Sequence, residues 1–510
     1  MKGLQYVRRI FSIGCALLAT IALSVGCTKT EEASVADSGT PPVVIAIENV
    51  TLGAEYPDTA KVEEAINKIT LPALNCKVKI INYHIADHAA KVTLAVNGGE
   101  QLDIINTGLT TSLSSFVSDG TVIPLDALLQ SYGKDLYDKE GALLKATTVN
   151  GKVYALPANL YPSKANGIGY NKSTVDKYQL DFPEEITLAS LTKLGQELKS
   201  KAPQLYLATN GDGALTMFDI FYFLEAFGGD LNYGVVFDPL HQTKIVNVYA
   251  SEAYRTYCQT LKQWRELGYI PEDSMTNGQN GQSAFNSGLT LLQQMNISPH
   301  GEQIAIKKGL PFQEVLVAST PNVLSTSSVQ EYAWGITSSC EHPEVAMAFL
   351  TLLYTNEALA NLLANGLPDL HYEKVSEHII KYPEGVTGDT VGYGRIFSMY
   401  GDSTQLLQFE PATESFYEDL ITFSKTAQPI LTLGYTFNAE VVASEIAAVT
   451  SVASEYRPIL ECGVSKDVDE TLEAFNKALK EAGIERIIDE NQRQLNAWLE
   501  HNKEINRSAQ

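Results

Sequence analysis

The chain has 510 residues, of which 45% are hydrophobic and 19% charged, the make-up of a folded globular protein with large cores and not of a disordered one. Lysine and arginine total 37 against 60 aspartates and glutamates, a net charge of −23. That balance argues against a nucleic-acid binder, which needs concentrated positive charge, and against electrostatic adhesion to an anionic bilayer.

Residues 1–26 read as a secretory signal. Lys2, Arg8 and Arg9 form a positive start, and an apolar stretch runs from Ile10 to Val25. The end, Ser24-Val25-Gly26-Cys27, resembles a bacterial lipobox, with Leu23 one place further from the cysteine than usual. Lipidation of Cys27 is the expectation, ordinary secretion the alternative. Residues 27–42, rich in Ser, Thr, Ala and Glu and ending in Pro41-Pro42, read as a flexible tether. No later stretch holds the roughly 18–20 uninterrupted apolar residues that span a bilayer, so the mature chain is expected to be soluble and anchored only at its start. Cys76, Cys258, Cys340 and Cys462 remain, with no C-x-x-C, as two disulfides in any of three pairings or as buried thiols.

The body alternates strands and helices. Val43–Ile47 is a continuous apolar run suited to a buried parallel strand, and Thr59–Ile69 carries Val62, Ala65, Ile66 and Ile69 at helical spacing. Lys77–Ile81 alternates as a second strand, Ala86–Val96 is helical, and Leu102–Ile105 is a third strand. This order predicts a parallel sheet with right-handed crossovers, whose ligands sit beyond the carboxyl ends of the strands. Glu48–Tyr56, Asn82–His84 and Asn106–Thr111 then border any cleft. Further on, Pro343 opens a helix running to Gly366, Asp467–Ala482 is an amphipathic helix stopped by Gly483, and a last helix spans Ile484 to about Asn502.

Catalytic signatures are nearly absent: there is no Walker loop, GxGxxG, HExxH or GxSxG. His84, Asp87 and His88 read H-x-x-D-H. On a helix the two histidines would share a face suited to zinc. The plainer reading is a strand end meeting a helix start, with Asp87 in the first turn and partly exposed histidines. No third ligand is identifiable, so neither metal nor cofactor is expected.

Several segments then match, in order, the extracellular solute-binding proteins of ABC importers. KVTLAVNGGEQLDII (Lys91–Ile105) and FVSDGTVIPLDALL (Phe116–Leu129) resemble two of their N-terminal motifs. VNGKVYALPA (Val149–Ala158), followed by GYNKSTVDKYQLD (Gly169–Asp181), is similar to their interlobe crossover. YAWGITSSCEHPEVAMAFLTLLY (Tyr332–Tyr354) resembles their Trp-Gly-Ile strand and following helix. Leu433–Leu460 with NQRQLNAWL resembles the C-terminal domain of unassigned function found in a lipoprotein subgroup. GLPDLHY (Gly366–Tyr372) departs from the subgroup's pattern, and His88 stands where an aromatic is common.

The resemblance implies an α/β, two-lobed periplasmic-binding-protein-like (type II) clamshell with multiple interlobe crossovers. Its parts are the signal (1–26), the tether (27–42), the N-terminal part of the first lobe (43–157), the second lobe (158–320), a return segment to the first lobe (321–365) and a C-terminal helical region completing the lobes (366–502). It implies a monomer outside the cytoplasm, lipid-anchored to the cell membrane, that delivers its solute to ABC permease subunits and is not an enzyme. An oligosaccharide is the expected solute, held by aromatic faces and by amide and carboxylate side chains. A peptide or other small solute, a secreted glycoside hydrolase with two opposed carboxylates, and an adhesin or sensory module stay as alternatives.

The expected ligand-binding residues are Trp334 as the principal stacker, Asn159 and Tyr161 in the crossover, Asn106 and Thr107 at the third strand's end, Phe218, Asp219 and Tyr222 on a second-lobe helix, and the isolated cation Arg395. Trp264 and Trp498, on amphipathic helices, are expected in the core.

Overall fold

The structure is a computed structural model. It describes residues 41–51, 56–141, 143–158, 161–163, 165–209, 217–227, 231–275, 281–299, 310, 312–388, 390–394 and 400–508. The expected signal, Cys27, most of the tether, Asn159 and Arg395 lie outside the described residues.

The apolar run after Pro42 forms β1 (Val43–Thr51), with Ile45, Ala46 and Ile47 fully buried, as expected for a strand covered on both faces. Helix α1 (Thr59–Leu74) turns Val62, Ile66 and Thr70 inward and ends at Asn75, which takes the left-handed conformation. Strand β2 (Cys76–His84) buries Cys76, Val78 and Ile80 and exposes Lys77 and Lys79. Helix α2 (His88–Gly98) buries His88, Val92, Ala95 and Val96, and β3 (Ile104–Thr107) follows. β1 pairs in parallel with both β2 and β3. Strand β4 (Leu156–Pro157) then leaves this sheet.

Past residue 164 the chain builds a second sheet and a second core. β5 (Ala165–Asn171) is its central strand. Helix α3 (Leu188–Lys201) starts with a capping box between Thr187 and Ser190. Helix α4 (Glu252–Glu266) buries Tyr254, Tyr257, Cys258, Leu261 and Trp264, whose indole donates to Thr192 Oγ1 at 2.7 Å. Strands β6 (Leu292–Ile297) and β7 (Glu314–Ala318) flank β5, both antiparallel.

The return to the first lobe begins with β8 (Val323–Leu324), and β9 (Ala333–Ile336) completes the first sheet in the order β2-β1-β3-β9-β4. β9 runs against its neighbours, Trp334 opposite Asn106 and Ala333 opposite Thr107 and Pro157. Parallel pairing therefore holds for the first three strands only. The reason is topological: β4 leaves the sheet and β9 enters it at one edge, the carboxyl ends of β1 and β3. That edge faces the interlobe crossings.

The helix expected from Pro343 to Gly366 is two helices, α5 (Pro343–Thr355) and α6 (Glu357–Asn365), bent by 95°. Asn356 breaks the run: its backbone is extended and its side chain accepts the Leu359 N–H at 2.9 Å, capping α6. The region expected to be helical from residue 366 first holds short strands and one helix, Phe416–Lys425. β10 (Gln428–Pro429) pairs in parallel with β8, so a third crossing lies beside the second. Helices α7 (Ala443–Glu461), α8 (Val468–Ala482) and α9 (Ile484–Ser508) then pack on the second lobe.

The lobes are visible as separate apolar cores. One joins Ile45, Ile104, Trp334, Phe349, Leu359, Tyr393 and Tyr400. The other joins Ile168, Leu191 and Trp264 to Tyr435, Leu460, Phe475, Ile487 and Leu495, with Trp498 packed against it. The two-lobed α/β architecture with several crossovers is thus the observed one.

Candidate functional site

The first-lobe side of the site is the strand-end edge. Glu48 and Asn49 lie in the carboxyl half of β1, Asn106 and Thr107 close β3, and Trp334 is the second residue of β9. Glu48 accepts the backbone N–H of Asn106, and both its oxygens stand 3.0 Å from His88 Nε2. Asn49 accepts from the Tyr400 hydroxyl and donates to Asn82 Oδ1 at 3.0 Å, and Asn82 in turn donates to Thr59 at 2.9 Å.

Asn106 and Trp334 are directly opposed in an antiparallel pair, so their side chains share a face. Both are fully buried, and Asn106 Nδ2 and Oδ1 and Trp334 Nε1 have no hydrogen-bond partner among the described residues. The Trp334 ring lies 6.0 Å from Tyr400, inside the first-lobe core. It offers no exposed face for stacking in this conformation, and its polar atom is what it brings to the edge. Thr107 is also buried, and its hydroxyl donates to the Ala333 carbonyl at 3.3 Å.

The H-x-x-D-H segment is not a shared helical face. β2 continues through His84, whose Nδ1 accepts the Ala86 N–H at 3.1 Å. Asp87 makes no side-chain cap, and His88 turns fully inward instead of staying partly exposed. Glu48 is the reason: it supplies the buried acceptor that the imidazole needs. No cluster of three metal-ligating side chains occurs among the described residues.

The second-lobe side is built on the ends of β5 and β6 near the crossings. Asp219 Oδ2 accepts from Asn166 Nδ2 at 3.0 Å and from Gln294 Nε2 at 2.9 Å, and Oδ1 accepts from Gln294 at 2.8 Å. All three side chains are half-buried. Tyr222, which ends the short helix carrying Asp219, is half-buried; burial first, then the charge of Glu252, raises the pKa of its phenol. Phe218 lies 4.7 Å from Tyr222, but its own ring is fully buried against Tyr254 and Tyr257, so it packs and does not face solvent. Tyr161, in the first crossing, is half-buried.

An open groove of about 540 Å³ lies elsewhere, between Tyr249–Arg255 and Asp467–Asn476. Its charged lining is mostly carboxylate, and its one arginine, Arg255, is bonded to Asp469. Tyr249, its aromatic, is buried. The groove offers no ring face to a solute, and the strand-end edges remain the candidate site.

Residues 57–360 match the family described as bacterial extracellular solute-binding protein. The chain belongs to that family. Residues 431–500 of this solute-binding protein also match a domain of unknown function, DUF3502. It is 24% identical over 473 residues to a carbohydrate ABC transporter substrate-binding protein of Streptococcus pneumoniae serotype 4, covering 92% of this chain and 93% of the relative. Its fold matches the crystal structure of an N-glycan transport solute-binding protein of Streptococcus pneumoniae with a TM-score of 0.77 at 22% identity, covering 90% of this chain and all of the other. It also matches an alginate-binding protein, AlgQ2, with a TM-score of 0.60 at 16% identity, covering 91% of this chain and all of the other. A family of extracellular solute-binding proteins places the chain outside the cytoplasm.

Asn166 and Gln294 emerge only from the structure, as does the bond between Glu48 and His88. The strand-end rule had flagged the stretches that contain Glu48 and Thr110. Nothing in the sequence pairs Glu48 with His88, or Asn166 and Gln294 with Asp219, because each pair joins a strand to a helix packed against it.

Proposed function

We propose that this solute-binding protein captures a hydroxyl-rich oligosaccharide between its lobes, without altering it chemically, and hands it to an ABC permease. The observation that carries the proposal is the Asp219 cluster. A carboxylate oriented by two amides, on a short helix that ends in a half-buried tyrosine, is the chemistry that takes sugar hydroxyls and an apolar sugar face. Asn106 and the Trp334 indole add unpartnered hydrogen-bonding capacity on the first lobe, and Tyr161 lies between. The relatives support the reading: structures of the Streptococcus pneumoniae N-glycan transport protein hold Man1GlcNAc and Man5GlcNAc. Closure would be a swing about the three crossings that the solute stabilises by touching both lobes.

The protein acts as a monomer tethered by a lipid on Cys27, which keeps it near its permease. Cys27→Ala should release it from the membrane fraction of a bacterial host, and retention would refute the anchor. The function itself is tested by thermal shift against Man5GlcNAc, a neutral milk oligosaccharide, an alginate oligomer and a peptide mixture. A solute at 100 times its dissociation constant adds about 2.7 kcal/mol to the folded state. A shift with a glycan that Asp219→Ala removes is the expected result. A shift with peptides alone would overturn the proposal.

A further inference from the structure

Glu48, His88 and Thr110 form a chain across the strand-end edge. They come from β1, α2 and the turn after β3. Both Glu48 oxygens stand 3.0 Å from His88 Nε2, and His88 Nδ1 stands 2.5 Å from Thr110 Oγ1. A carboxylate only accepts, so Nε2 carries a proton, and in the neutral ring Nδ1 then presents its lone pair. The Thr110 hydroxyl therefore donates inward. Glu48 and His88 are fully buried, whereas Thr110 is exposed.

We propose that Glu48 and His88 are positioning residues that commit the Thr110 hydroxyl to act as a hydrogen-bond acceptor for a solute hydroxyl at the strand-end edge. This rests on the carbohydrate function proposed above. With its proton held by His88, Thr110 turns only lone pairs outward. It serves a sugar hydroxyl, which can donate, and not an ether or carbonyl oxygen, which needs a donor. The turn that carries it is braced: the Gly108 N–H donates to the Thr111 carbonyl at 2.9 Å, and Ser112 caps the helix Leu113–Ser118. Glu48 also holds the backbone of Asn106, so one buried carboxylate sets two positions of the edge.

The test is calorimetry of the full-length protein with Man5GlcNAc. Thr110→Val should weaken binding about five- to tenfold, the value of one neutral hydrogen bond, and Thr110→Ser should not. His88→Gln should weaken it equally, and the double variant no further, because both changes remove the same bond. A purely structural role would lower the melting temperature of Thr110→Val and leave its affinity unchanged, which would overturn the proposal; so would losses that add in the double variant. Should His88→Gln fail to fold, Thr110→Val still decides, since the residue is exposed. Nitrogen-15 spectra give a readout free of sugar: His88 Nδ1 should be an unprotonated acceptor whose shift moves in Thr110→Val, and a protonated Nδ1 would overturn the relay. A wild-type protein that binds no glycan sinks the carbohydrate function, while the spectra still decide the relay.

Discussion

Asn166 donates its side-chain amide to Asp219 at 3.0 Å while its main chain holds the second interlobe crossing. Its carbonyl accepts from Ser319 N and its N–H donates to Thr320 Oγ1, at 2.9 and 2.8 Å. One residue thus joins the carboxylate of the candidate site to the second interlobe crossing.

Asn166→Ala keeps those main-chain bonds and removes only the amide. Glycan affinity should fall about three- to tenfold in calorimetry, with little change in thermal stability. An affinity equal to wild type would detach Asp219 from the site.

Trp334 is expected to matter first for folding. The ring is fully buried against Tyr400, so Trp334→Ala should cost about 3–5 kcal/mol in urea unfolding without any solute. An unchanged apo stability would contradict its place in the core. Trp334→Phe keeps most of the volume and deletes the unpartnered N–H, and is the variant that reports on binding.

Gly108 has a positive φ of 104°, and a Cβ there would stand 1.8 Å from the Gln330 carbonyl oxygen. Gly108→Ala should destabilise the fold by more than about 2 kcal/mol, from the left-handed strain and the clash together. Wild-type unfolding curves for this variant would show that the turn beside Thr110 is not braced as described.

Acid sensitivity should begin with a histidine. His371 is buried 3.2 Å from Asp58; burial lowers its pKa below the usual 6.5 and outweighs the opposing pull of Asp58. The unfolded chain then binds that proton more readily, so the contribution of His371 is full above pH 6.5 and is lost as pH falls through its folded pKa. Asp58, bonded to Lys61 and then to His371, and Glu490, pulled down to about 2 by Arg493, are lost only in stronger acid. Comparing unfolding at about pH 7.5 and about pH 5.5 should show a drop that His371→Asn shrinks. An equal drop in that variant would assign the sensitivity elsewhere.

Much of the framework was legible because it is local. The apolar run of β1, the alternation of β2, Pro343 at a helix start and Gly483 at a helix end each carry their structure in a few residues. The break at Asn356 was legible in principle: an asparagine before Glu357 is a capping signal, masked by the apolar periodicity on both sides. The site was less legible. Burial of Trp334 depends on Tyr400, and burial of His88 on Glu48, partners that sequence spacing does not announce. Asp219 was identified as polar and near an aromatic, but its two amide partners come from two strands, β5 and β6.

No disulfide links Cys76, Cys258, Cys340 and Cys462, and burial raises the thiol pKa of the first three. The described body is therefore held together by non-covalent packing alone. With Cys76, Cys258 and Cys462 buried and Cys340 half-buried, the folded body shelters its sulfurs from thiol reagents.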